Sequence, residues 1–222
     1  MLSAEEIVSQ QDRETRVWHQ SAAGAAWPGR KAVGEADWLR LVSAQHWANF
    51  ELWHIEDEAR APGATDAELA AVKRRVDPTN QRRNDLAEEL DRALLAWLEP
   101  KGLPNEASTL HSETPGLMID RLSILALKIY HTREEAQRAD APPGHAERNL
   151  ERLKILEAQR GDLAGCLDEL WSEVLAWRRR FKLYRQLKMY NDPSLNPAVY
   201  GHSAHSKPSA TAGGSGAGSG QP

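Results

Sequence analysis

Cysteine is almost missing from this chain of 222 residues, with Cys166 the only one. No intramolecular disulfide can form, and a zinc site built on several thiolates is excluded. Cys166 lies amid Leu163, Leu167 and Leu170 and is expected to pack as a small inert hydrophobe. Long apolar runs are missing too: no stretch of about 18 apolar residues occurs, so nothing reads as a membrane-spanning helix. The N-terminus, MLSAEEIVSQQDRETRVWHQ, is charged and lacks the apolar centre of a secretory leader. The expectation is a cytoplasmic protein. Positive charge is not in excess either. A formal net charge of -4 argues against a general nucleic-acid binder. No Gly-x-Ser-x-Gly elbow, Walker phosphate loop or Gly-x-Gly-x-x-Gly fingerprint is present, so hydrolase, nucleotidase and dinucleotide readings lose their usual support and no cofactor is implied. No segment shows the two-residue alternation of a half-buried strand.

What remains is helical periodicity. Ser3 and Glu6 have capping-box spacing and open a helix to about Gln20. A loop marked by Gly24, Pro28, Gly29 and Gly34 precedes a second helix from about Glu35 to Ala61, which Pro62-Gly63 ends. Thr65 and Glu68 start a third helix that reaches about Leu98; Pro78 inside it predicts a kink, or a break with Asp77 as the new cap. Thr114-Pro115 launches a fourth helix to about Arg138. The last runs from His145 to about Lys188 on a three- and four-residue spacing of Leu153, Leu156, Leu163, Leu167, Leu170, Val174, Trp177, Phe181 and Tyr184. The sequence therefore predicts an all-α, single-domain antiparallel bundle of about five helices over residues 1–200. From Gly201 to the end the chain is rich in Gly and Ser, has nothing to bury, and is expected to be a disordered tail over 201–222, with His202 and His205 solvated.

Three of these helices carry polar side chains where burial is expected. At about 100° per residue, His46, Phe50, Trp53, Asp57 and Arg60 share one arc of the second helix, with Asn49 at its edge. If Pro78 only kinks the third helix, Lys73, Asp77, Asn80, Asn84 and Asp91 align with Leu69, Val76, Leu94 and Leu98. On the fourth helix Asp120, Lys128 and His131 share a side with Leu117, Ile124 and Leu127. Buried polar groups cost free energy unless paired, which leaves two readings. In one, the groups satisfy one another and fix helix register. In the other they line a cavity for a polar or anionic small molecule. Arg60, Arg83, Arg121 and Lys128 would then hold an anion, Asn49, Asn80 and Asn84 would orient hydroxyls, and His46, Asp57 and Asp120 are candidate acids or bases. Under the first reading the protein is a non-catalytic partner or scaffold, binding through an exposed helix face or the region of Trp18, His19 and Trp27.

Metal ligation has one sequence signal. Glu51-x-x-His54 has the form used in helical di-iron bundles, but those need a second such motif and two further carboxylates. No second copy exists, and projection puts Glu51, His54 and Glu58 on the more exposed flank, so no metal centre is expected. Among the eight tryptophans, Trp38, Trp97, Trp171 and Trp177 fit core positions, leaving Trp18 with His19 and Trp53 with His54 as pairs without an assigned role.

Four segments in order, NFELWHIEDEAR, VDPTNQRRNDLAEELD, TPGLMIDRLSILALKIYH and KMYNDPSLNP, resemble the bacterial domain of unknown function 4254 family. The resemblance runs from about Glu5 to Tyr200 and implies a compact bacterial domain without implying an activity. MIDRLSILALK is also similar to a helix of small proteins associated with bacterial glycosyltransferases, which tilts the ligand reading towards a sugar or sugar phosphate in cell-envelope carbohydrate metabolism. In the fourth segment, Asn191-Asp192-Pro193 and Asn196-Pro197 predict two turns. With Tyr190, Leu195 and Tyr200 they would make a strap after Lys188 folded back on the bundle.

Overall fold

Capping fixes where the helices start. Thr65 Oγ1 accepts a hydrogen bond from the Glu68 backbone N–H at 3.3 Å while the Thr65 N–H donates to the Glu68 carboxylate at 2.8 Å. Two amides without a partner inside the helix are satisfied reciprocally. Thr114 Oγ1 accepts from the Leu117 N–H at 3.3 Å, and Pro115 takes the first helical position, where a missing N–H costs nothing. The computed structural model describes residues 2–20, 35–187 and 194–197. Five α-helices dominate the described residues: α1 (Ala4–Gln20), α2 (Glu35–Glu58), α3 (Asp66–Leu98), α4 (Pro115–Gln137) and α5 (His145–Leu175). The all-α class is as expected. The one departure is a pair of two-residue strands, β1 (Thr109–Leu110) and β2 (Arg179–Arg180), which run parallel. No described helix is long and apolar enough to cross a membrane.

All of these elements belong to one unit, Met1–Arg185; a second, Gln186–Pro222, is described only at Gln186, Leu187 and 194–197. The loop with Gly24, Trp27, Pro28, Gly29 and Gly34, the turn at Asn191-Asp192-Pro193, Lys188, Tyr190 and Tyr200, and everything from Gly201 onward lie outside the described residues.

The near-continuous apolar character of α4 has a direct consequence, because it packs against each of the other four helices. Met118, Ile119, Leu122, Ala126, Leu127 and Ile129 are all buried. Met118, Ile119 and Leu122 belong to a core cluster that includes Ile7 from α1, Val42 from α2, Leu90 and Leu94 from α3 and Leu167 and Val174 from α5. Gly116 sets how closely α4 approaches α3. A Cβ there would lie 2.2 Å from the Ala87 carbonyl oxygen and 2.9 Å from the Asp91 carboxyl. The Gly116 N–H instead donates to buried Asp91 Oδ1 at 2.7 Å, and burial pushes the Asp91 carboxyl up to about 6 against the bonds from Thr114 and Gly116 that favour its charge.

Several expectations need correcting. Of the kink or break expected at Pro78, the break does not occur, and α3 is continuous through that exposed residue. Helix α5 stops at Leu175, not near Lys188. Trp177 takes a left-handed φ of 66°, its N–H donates to the Val174 carbonyl at 3.1 Å and the Arg178 N–H donates to that of Glu173 at 2.9 Å. This pair of bonds is the Schellman stop, with tryptophan where glycine is usual. Trp177 is consequently exposed, whereas Phe181 is buried from the strand side. Cys166 is exposed, not packed among leucines. Trp18 is buried, so it offers no partner surface.

Candidate functional site

A hydrogen-bonded polar layer joins α1, α2, α3 and α4 around Asp120. The Asp120 side chain is only 8% exposed, and a carboxylate so placed needs donors from every side. Gln45 and Asn49, one helical turn apart on α2, each donate a side-chain N–H to Oδ1, Asn49 at 2.9 Å. Arg83 from α3 closes a fork, with Nε donating to Oδ1 at 2.8 Å and Nη2 to Oδ2 at 2.5 Å. Its Nη1 also donates to Asn80 Oδ1 at 3.4 Å. The hydrogen bonds to Asp120 raise the guanidinium's already high pKa, so Arg83 stays charged.

The layer continues through Ser123, one turn beyond Asp120. Ser123 Oγ accepts from Asn49 Nδ2 at 2.9 Å and lies 2.7 Å from His46 Nδ1. The other ring nitrogen, Nε2, lies 3.0 Å from the Gln11 carbonyl oxygen and 2.9 Å from Thr15 Oγ1. A carbonyl only accepts, so Nε2 carries the hydrogen and Nδ1 receives the Ser123 hydroxyl proton. His46 is fully buried, and burial pushes its pKa down to about 3. It is a neutral imidazole with both nitrogens occupied.

Beside this layer opens a cleft of about 330 Å³ lined by Asn49, Leu52, Trp53, Glu56, Asp57, Arg60, Arg83, Ile124 and Leu127. Its lining mixes four apolar side chains with one amide, two guanidiniums and two carboxylates. Arg60 is exposed and held by Glu56, whose carboxylate it meets at 3.3 Å.

The ten residues singled out in the sequence thus divide. Asn49, Asp57, Arg60 and Arg83 line the cleft, and Arg83 and Asn49 also belong to the layer. Asp120 and His46 lie within the layer and outside the cleft, with their bonding capacity taken up. Asn80 supports Arg83, and half-buried Asn84 follows it in α3. Arg121 and Lys128 are exposed, and Arg121 pairs with Glu113 at 2.6 Å. These two are seven residues apart on one stripe of α4, and that stripe faces outward. Gln45 and Ser123 were missed. Their signal was spacing alone, one turn from Asn49 and from Asp120.

One group of described side chains has the spacing of metal ligands: His19, His54 and His131, each half-buried, with one ligand atom apiece within 4.8 Å of the others. The expectation that His54 lies on an exposed flank does not hold, because α1 and α4 bring the two other rings over it.

Comparison with known proteins identifies no activity. No curated protein and no solved structure matches the chain. The model of one family, described as a protein of unknown function (DUF4254), matches residues 39–183, a span that takes in α3, α4, most of α2 and α5, and with them every residue of the cleft. The chain belongs to the DUF4254 family.

Proposed function

We propose that this protein binds a polar, anionic small molecule of sugar or sugar-phosphate size in the cleft beside Asp120, within bacterial cell-envelope carbohydrate metabolism. The observation that carries the reading is an indole and two guanidiniums lining one cleft: Trp53, one of whose faces is taken by His131, would give a sugar its other face, and Arg60 and the remaining N–H groups of Arg83 would donate to a phosphate. A cleft of about 330 Å³ is at the small end of ligand-sized sites. Asn49 lines the same cleft but already spends its amide hydrogens on Asp120 and Ser123, so its carbonyl oxygen is the group left to meet a hydroxyl. Asp57 is the carboxylate of the cleft best placed to take a proton from a ligand, since it is exposed and outside the layer. The proposal is one of binding and assigns no reaction.

A second reading, a non-catalytic interaction or scaffold protein, draws on the layer itself. Four donors on one carboxylate need no ligand to complete them. A thermal-shift series with sugar phosphates and nucleotide sugars separates the two, because a ligand that binds only the native state raises Tm. Binding in the cleft predicts a rise in the native chain that disappears in Arg60→Ala and in Ile124→Trp, which fills the cleft. No rise with any compound, or an equal rise in both variants, favours the scaffold.

A further inference from the structure

The three histidines come from three helices, and each ring is held by something other than its two companions. His19 ends α1, and its Nδ1 lies 2.7 Å from the Thr15 carbonyl oxygen. That oxygen only accepts, so the hydrogen of the ring sits on Nδ1 and Nε2 is left with a lone pair. His131 on α4 has its Nδ1 3.0 Å from Glu134 Oε2, which fixes the same tautomer by the same logic. Nε2 of His19 and Nε2 of His131 are both buried and neither has a hydrogen-bond partner among the described residues. A buried nitrogen left in that state costs about 1–3 kcal/mol. Two in one cluster, beside a third imidazole, are hard to account for as packing.

The ring planes are set by stacking. Tyr130 lies on His19 with centroids 4.2 Å apart and planes at 18°. Trp53 lies on His131 at 4.9 Å and 9°. His54 meets Phe50 edge to face at 4.5 Å. Each outer partner is therefore a carbonyl, a carboxylate or an aromatic face, which is how proteins orient imidazole ligands and raise their basicity. Burial comes first, with repulsion from His19 next, in holding His54 and His131 below the usual histidine pKa. The same two rings feel the negative charge of Asp57 and Glu134, which would offset part of a divalent charge.

We propose that His19, His54 and His131 form a mononuclear site for a divalent ion of the zinc kind. Three imidazoles without a thiolate suit zinc, and three protein ligands leave one coordination position open. In a tetrahedral site with Zn–N near 2.05 Å the ligand nitrogens stand about 3.3 Å apart. Ligand atoms already within 4.8 Å of one another need to close by about 1.5 Å at most to reach that spacing. The three rings line neither described cavity themselves, but residues in contact with them reach two. Trp53 and Asp57 also line the cleft described above, and Thr15, Tyr130 and Glu134 line a second cavity of about 420 Å³. This site stands on α1, α2 and α4 and does not depend on what the cleft binds.

The test uses the full chain without an affinity tag, stripped with chelator, loaded with Zn2+ and dialysed, with retained metal measured by elemental analysis and Kd by competition. The native chain is expected to keep one equivalent, and so is His202→Ala/His205→Ala, which removes the tail histidines as decoys. His54→Ala should lose at least a hundredfold in affinity. Glu134→Gln should lose about 10–100-fold, the size of effect seen when a partner that orients a ligand is removed. Co2+ in place of Zn2+ should give visible d–d bands in the native chain and none in His54→Ala. Should His54→Ala fail to melt cooperatively, His131→Phe provides the same comparison. No metal retained by the native chain, or retention lost with the tail histidines and untouched by His54→Ala, overturns the proposal.

Discussion

Two buried polar clusters stand side by side in this bundle and differ in how they are finished. Around Asp120 the charge and the imidazole are matched: one carboxylate receives four N–H donors and His46 has a partner on each ring nitrogen, while the side-chain carbonyls of Gln11 and Gln45 are buried with no partner among the described residues. Around His54 two buried ring nitrogens have no partner among the described residues. The contrast teaches how to read polar groups inside a helical protein. A network whose bonds close on its own members fixes the packing of its helices, while one with donor atoms left over and pointing together is prepared for something from outside.

The largest effect that would break this comparison comes from Arg83→Met. It strips two bonds from Asp120 and leaves a buried carboxylate short of its counter-charge, which should cost about 3–5 kcal/mol in urea unfolding. Arg83→Met/Asp120→Leu should recover most of that loss, since removing both partners is far less costly than removing one. If the double variant is as unstable as the single one, the layer is not a closed unit.

A somewhat smaller effect concerns pH. Asp91, which seats Gly116 of α4, has its folded pKa raised from 3.8 to about 6. A raised acid pKa means that the folded state holds its proton more tightly, so this group's contribution to stability is full below about pH 4. It falls as pH rises towards 6 and is constant above. Asp91→Asn removes that loss. The stability of the variant relative to the native chain should therefore rise between pH 4 and 7 by ~3 kcal/mol at most, measured as a difference of urea midpoints at each pH. A flat difference would mean that Asp91 is ionised in the fold at no cost.

The smallest effect sharpens the comparison most, because it makes one substitution in both clusters. In metal-free protein, His46→Phe should cost about 2 kcal/mol, since it leaves the buried Ser123 hydroxyl hydrogen without its acceptor and takes the imidazole N–H from the Gln11 carbonyl. His131→Phe removes an Nε2 that had no partner, gives up only the Nδ1 bond to the exposed Glu134 carboxylate, which water can replace, and keeps the ring on Trp53, so it should lie within about 1 kcal/mol of the native chain. Equal costs in urea unfolding would erase the distinction between a closed cluster and an open one.

Parts of this architecture were legible in advance, and the physical range of each interaction decides which. The capping boxes and the Thr114-Pro115 start involve residues three or four apart, and they fell where the spacing put them. The polar arc of α2 gave Asn49 and His46 correctly as buried, because burial of one helix face is written in its period. Arg121 and Lys128 misled because α4 is apolar on nearly every side, which hides the one stripe that faces outward. The end of α5 misled for another reason: Trp177 and Phe181 keep the helical spacing, and no pattern of side chains reports that the backbone at Trp177 turns left-handed. His54 was judged by the motif around it, Glu51-x-x-His54, although Glu51 turns away to pair with Arg82.

The sequence by itself determined five helices, the absence of disulfides, and the presence of more buried polarity than an apolar bundle needs, since all three follow from composition and from local spacing. Only the tertiary structure decided how that polarity is divided. Gln45, Asn49, Arg83 and Asp120 lie on three helices, as do His19, His54 and His131. Which of their atoms find partners depends on distances of about 3 Å across helix interfaces, and no periodicity along one chain encodes them. Side-chain pairing of that kind is set by the packing of α4 against its neighbours, down to the contact that Gly116 alone permits.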